Sequence, residues 1–251
     1  MVKRRKQLST IMVFHYVKLC FRGALFLGAL LMYILGRMNG IERPLSEVRH
    51  WPVFLTVIWF VFVLEMILRS IPSRVESMGC QKQFRLNYIP PENFVGKPQL
   101  QHWSVTAAVT GVWVALNGIL GVLFYIGIFD AGIMLLIALA YSVCDMICIL
   151  FFCPFQTWFM KNKCCGTCRI YNWDYAMMFT PLIFVRGFYC WSLVLLSLVI
   201  LVRWEVTYHK HPERFAENAN CSLKCQNCRE KLCHHKTQIR QFIRKTNTEH
   251  M

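Results

Sequence analysis

The chain has 251 residues, of which 56% are hydrophobic and only 16% charged, with a formal net charge of +15. So apolar a composition excludes an ordinary soluble domain. A membrane protein remains, because the apolar residues fall in long runs of the roughly 20 that a helix needs to cross a bilayer core.

The chain opens on the basic stretch MVKRRK. The apolar run behind it is long and no small-residue cleavage site closes it, so it reads as an uncleaved first span over 19–36 rather than a signal peptide. Lys18 and Arg22 stand at its front edge, where snorkelling to the headgroups would accommodate them. A second span is expected over 51–68, with Glu65 near its end. The loop that follows carries Pro90, Pro91 and Pro98 and reads as a turn-rich connection rather than a catalytic domain. Third and fourth spans are expected over 103–129 and 131–153. Asp130 separates them by a single turn, which predicts a tight antiparallel hairpin. The fifth span is expected over 179–202, with Arg186 inside it. Trp51, Trp103, Trp173 and Trp204 fall at run ends, as an interfacial aromatic belt requires. Runs this continuous lack the alternation of barrel strands, so the fold class is all-α. The expected organisation is a polytopic transmembrane helical bundle over 1–204, with about five spans, and a basic cysteine-rich tail over 205–251.

Positive charge within about 15–20 residues of the span ends sets orientation. It favours the side shared by the N-terminus and the loops after the second and fourth spans. With five crossings the N-terminus is then expected inside and the tail outside, and the membrane is expected to be that of the cell surface.

Within the tail, residues 221–236 read CSLKCQNCREKLCHHK, with Cys221, Cys225, Cys228 and Cys233 closely spaced and His234 and His235 behind them. Four thiolates satisfy tetrahedral zinc, and iron–sulfur clusters take four cysteines from similar runs. Zinc or an iron–sulfur cluster is therefore the cofactor the spacing suggests, with structural disulfides the alternative in an oxidising compartment. The tail is short and polar, so sulfur around a bound cation is expected to replace the core it cannot build. A second thiol group lies in the loop after the fourth span. Cys165 and Cys168 form a CxxC, a candidate redox pair among Lys161, Lys163 and Arg169. A fifth span would put the two groups on opposite faces, where they could not share a metal. Cys20, Cys144, Cys148 and Cys190 lie within apolar runs and are read as small hydrophobes.

Glu65, Asp145 and Arg186 are ionisable residues at membrane depth. Such residues mark an ion path, a proton relay or a counter-charge, unless they pair only to fix helix packing. No paired histidines lie inside the runs, which disfavours a haem carrier, and there is no P-loop, dinucleotide fingerprint, H-E-x-x-H or G-x-S-x-G. The segment KTQIRQFIRK reads as a short basic amphipathic helix for anionic lipid headgroups, with nucleic acid well behind. Three functions follow in order: a membrane-embedded metal-binding or redox protein, a small transporter or ion-conducting bundle, and a non-catalytic adaptor whose tail docks a protein partner. Whether the chain is an enzyme stays open at this point.

Overall fold

Long apolar runs can satisfy their backbone amides without water only as helices. The computed structural model describes residues 10–40, 45, 52–73, 80–92, 96–160 and 165–228. The α-helices among them are α1 (Thr10–Met38), α2 (Pro52–Ser70), α3 (Cys80–Gln83), α4 (Trp103–Tyr125), α5 (Ala131–Leu150), α6 (Asp174–Phe179) and α7 (Phe188–Lys210), and no strand accompanies them. All but α3 and α6 are long and apolar enough to cross a membrane, five helices as expected.

Each long helix buries one stripe and leaves the rest apolar and uncovered. On α1 the stripe is Met12, His15, Arg22, Leu25 and Ala29, and on α7 it is Leu193, Ser197, Ile200, Trp204 and Tyr208. These spacings of three and four turn one face inward. Outward faces carry side chains such as Leu31, Phe60, Ile119 and Val199, all more than half exposed. An uncovered apolar girdle of this kind marks a surface that faces lipid.

Antiparallel packing fixes two ends of the bundle. Tyr33 donates to Asp130 Oδ2 at 2.9 Å where α1 finishes and α5 starts, while Met12 packs on Met146, Ile149 and Leu150 where α1 starts and α5 finishes. The latter is termed the proximal end. There α2 finishes, with Ser70 O accepting from Arg203 of α7 at 2.9 Å, and there α4 begins, its Trp103 ring 5.5 Å from the Arg169 guanidinium. The predicted hairpin turn between α4 and α5 is present. Gly127 (φ 83°) makes the reversal, and Asp130 caps α5 by accepting from Ile133 N at 2.8 Å.

The expected fifth span is where sequence and structure part. Pro181 and Gly187 (φ +152°) break the chain before α7, while Trp204 and Tyr208 carry the buried stripe beyond Val202, so the helix is displaced toward the tail. Residues 169–184 form a separate run of short 3₁₀ turns around α6. The run leaves the proximal end, where Arg169 Nε donates to Glu205 Oε1 at 3.1 Å. It reaches the distal end, where the Phe184 ring lies 6.1 Å from that of Tyr125. Close approach there depends on Gly121, since a Cβ would stand 2.5 Å from Phe184 Cζ. Five long helices plus this broken run carry the chain between the two ends six times.

An even number of passes returns the tail to the end from which α1 starts, not to the opposite face that five crossings implied. The described part of the tail, residues 211–228, packs on the bundle. Phe215 packs its ring 5.0 Å from Tyr208 and 6.3 Å from Trp204. Asn220 is wholly buried. Its Nδ2 donates to the carbonyls of Arg214 and Lys82 at 2.9 and 3.2 Å, and its Oδ1 accepts from Ser222 N at 3.0 Å. An aromatic contact and one buried amide hold these residues to the bundle. The predicted amphipathic helix at 236–245 lies outside the described residues.

Reporter fusions at the two ends of the chain are expected to read out on the same side of the membrane. Readout on opposite sides would contradict the six passes.

Candidate functional site

A charge inside hydrocarbon costs about 2.5–3.5 kcal/mol on insertion scales, so it seeks partners. Arg22 sits twelve residues into α1, about 18 Å along the helix, and is 1% exposed. Its Nη2 donates to Glu65 Oε2 at 2.6 Å, and its Nη1 donates to Asp145 Oδ2 at 3.1 Å and to the Ser142 carbonyl at 3.0 Å. Lys18 Nζ lies 3.3 Å from the same Glu65 oxygen, which also accepts from the Tyr175 hydroxyl at 3.2 Å. One turn nearer the proximal end, Arg69 Nη1 is 2.7 Å from Asp174 Oδ2, and its Nη2 donates to the Tyr171 carbonyl at 3.1 Å. Three cations thus face three carboxylates, and the cluster carries no net charge when all are ionised. Arg22 Nε and both ring nitrogens of the buried His15 have no hydrogen-bond partner among the described residues.

Sequence reasoning named two members of this cluster and missed its centre. Glu65 and Asp145 do come together, but through Arg22. Arg186 is exposed at the distal end, beside Gly187, and does not join them. A first span that begins at residue 19 puts Arg22 at a snorkelling edge, whereas α1 starts at Thr10 and carries it inside. A signal was available. His15, Lys18 and Arg22 are spaced by three and four and therefore lie on one helical face, too deep in the run for all to reach water.

Against this cluster lies a cavity of about 300 Å³ between α4, α5, α6 and the turn of π-helix at Phe155–Met160. Its walls are almost wholly apolar and include Trp113, Tyr141, Phe155, Met177 and Met178. Asp145 and Asp174 border it from the cluster side. Four thiols line it as well: Cys144, Cys148, Cys153 and Cys168. Cys148 and Cys153 are neighbours on this wall. This follows from how α5 ends. The amides of Phe151 and Phe152 both bond to the Ile147 carbonyl, at 2.8 and 3.2 Å, and this wide last turn folds Cys153 back beside Cys148. The sequence pattern reads Cys148 as a small hydrophobe and groups Cys153 with the loop thiols, so it does not pair the two.

The predicted redox pair divides differently. Cys165 opens a short 3₁₀ turn, Cys165–Thr167. Cys168 is buried, with its Sγ 3.2 Å from Met160 Sδ, and so belongs to the cavity wall. Of the four tail cysteines, Cys221, Cys225 and Cys228 are described and are free thiols. No group of three His, Cys, Asp or Glu that could hold a metal ion occurs among the described residues. Cys233, His234 and His235 lie outside them. The loop and tail segments do share α3. Gln83 Nε2 donates to the Gly166 carbonyl at 3.0 Å, and Lys82 Nζ lies 3.4 Å from Cys228 Sγ. The two segments therefore lie at the same end of the bundle and not on the opposite faces that five crossings implied.

Compared with protein-family models, with curated proteins and with solved structures, the chain matches none.

Arg22→Met leaves Asp145 without its cation and Glu65 with Lys18 alone. A loss of about 3–5 kcal/mol in unfolding free energy is expected, the usual cost of breaking a buried pair on one side. Arg186→Ala should change it by no more than about 0.5 kcal/mol. Denaturant unfolding of the detergent-purified protein measures both.

Proposed function

We propose that this is a membrane-embedded thiol redox protein whose working groups are Cys148 and Cys153 at the wall of the intramembrane cavity. The observation that carries the reading is that these two thiols are neighbours on the wall of a partly open cavity that Cys144 and Cys168 also line. Two neighbouring thiols can pass between a reduced form and a disulfide. The charge cluster supports this role by fixing α5: with Asp145 held by Arg22, the flank of the helix that bears Cys144 and Cys148 is held toward the cavity. The cluster itself is read as a packing device, since its charges balance and each carboxylate has a cation beside it. The transport reading has less in its favour because its third residue, Arg186, stands apart.

A metal-bound tail is a second reading, favoured by the meeting of the loop and tail segments at α3. Zinc or an iron–sulfur cluster on Cys221, Cys225, Cys228 and Cys233 would add to the contacts of Phe215 and Asn220. Purified protein should then contain stoichiometric zinc, or iron with sulfide. Metal-free protein whose tail thiols all alkylate ends this reading and leaves the first untouched.

For the first reading, differential alkylation across a series of thiol–disulfide buffers, read by mass spectrometry, is expected to show Cys148 and Cys153 oxidising together as one two-electron couple. Cys190, which packs against the bundle core, should stay alkylatable throughout. Persistence of both Cys148 and Cys153 as thiols under conditions that oxidise Cys225 would count decisively against the proposal.

A further inference from the structure

The position of the cavity limits what can exchange electrons with it. Tyr141 and Cys144 lie ten and thirteen residues into α5, about 15–20 Å from its distal start, and Cys144 is exposed on the outer surface of the bundle. The exposed flank of the cavity wall at Cys144 therefore borders hydrocarbon. Water-soluble thiols and charged carriers do not dissolve there, so a dithiol reached from this side needs a lipid-soluble partner. The lining has the same character: the rings of Trp113 and Tyr141 approach to 4.8 Å and that of Phe155 comes within 6.3 Å of Trp113. Flat aromatic surfaces suit a planar ring, and the volume stands at the lower edge of the range for small-molecule sites, roughly 300–1,000 Å³.

We infer that the cavity binds the ring of a lipid-soluble quinone and that the Cys148–Cys153 dithiol reduces it. This rests on the thiol redox reading above and names its substrate class. The step balances without another reactant. Two S–H bonds break and one S–S bond forms between Cys148 and Cys153. The two electrons released reduce the quinone ring, and the two protons go to its two oxygens to give the hydroquinone. Cys168, on the same wall, is not required for the exchange.

The test uses the full chain, purified in detergent, reduced and freed of reductant. Decylubiquinone is the probe, because every ring position is substituted and a thioether adduct cannot mimic reduction. One hydroquinone per chain is expected, measured by absorbance, together with loss of alkylation at Cys148 and Cys153 alone. Cys148→Ser and Cys153→Ser should each abolish the reaction, and Cys190→Ser should not affect it. Met177→Trp, which fills the cavity, should slow it at least tenfold. Diamide, an oxidant that does not need the cavity, is run in parallel on the unsubstituted protein. If diamide forms the Cys148–Cys153 disulfide but decylubiquinone is not reduced, the quinone proposal is overturned while the thiol reading stands. If neither reagent forms that disulfide, both fail. Reduction that survives Cys148→Ser, or a cavity filled by co-purified lipid that decylubiquinone does not displace, also overturns it.

Discussion

A guanidinium placed inside hydrocarbon is the constraint on which the rest of this structure depends. Apolar helices in lipid gain little by choosing one neighbour or one rotation over another, since the tails around them are as greasy as their own side chains. Arg22 removes that freedom. It must reach Glu65 on α2 and both Asp145 and the Ser142 carbonyl on α5 at once, which sets the rotation and depth of three helices together. Tyr175 ties the broken run to the same point through Glu65. Replacing such a knot by apolar groups of the same shape could cost nothing in stability. Its contribution is the choice of one arrangement among many that lipid would tolerate equally.

The cavity follows from that arrangement and from the broken run. Residues 169–184 cross the bundle in short turns, with Thr180 donating to the Ala176 carbonyl at 2.7 Å and accepting from Trp113 Nε1 at 3.3 Å. Such a segment carries fewer side chains per unit of length toward its neighbours than a full helix. It holds α4 and α5 apart at their proximal halves without filling the gap, and the thiols of α5 are turned into what is left. Polar pinning on one flank of α5 and open space on the other are thus two results of one geometry.

The sequence revealed the parts of the fold that one helix determines alone. The long runs became helices because no other structure pays its hydrogen bonds in lipid, and the α4–α5 hairpin was legible in Asp130. What depends on several elements at once was not legible. Residues 169–184 contain Asn172, Asp174 and Pro181, so no window of 20 apolar residues announces a pass, and the missing pass moved the tail to the wrong end. Arg22 looked like an edge residue because its partners lie 43 and 123 positions away. The tail looked coreless because its Phe215 buries itself against Trp204 and Tyr208 of α7.

The thiols make the same point about motifs. Spacing such as Cys165-x2-Cys168 is informative when both sulfurs end in the same medium, and here Cys168 faces Met160 inside the wall. Cys148 and Cys153 are five apart and match no pattern, because on a continuing helix they would point about 140° away from each other. They become neighbours because α5 ends between them, its last amides sharing one carbonyl before Pro154 opens the next helical turn. Local chain reversal at a helix end pairs residues whose sequence spacing separates them. Cysteines that flank a helix terminus inside a membrane therefore belong among candidate redox pairs even where no CxxC is present.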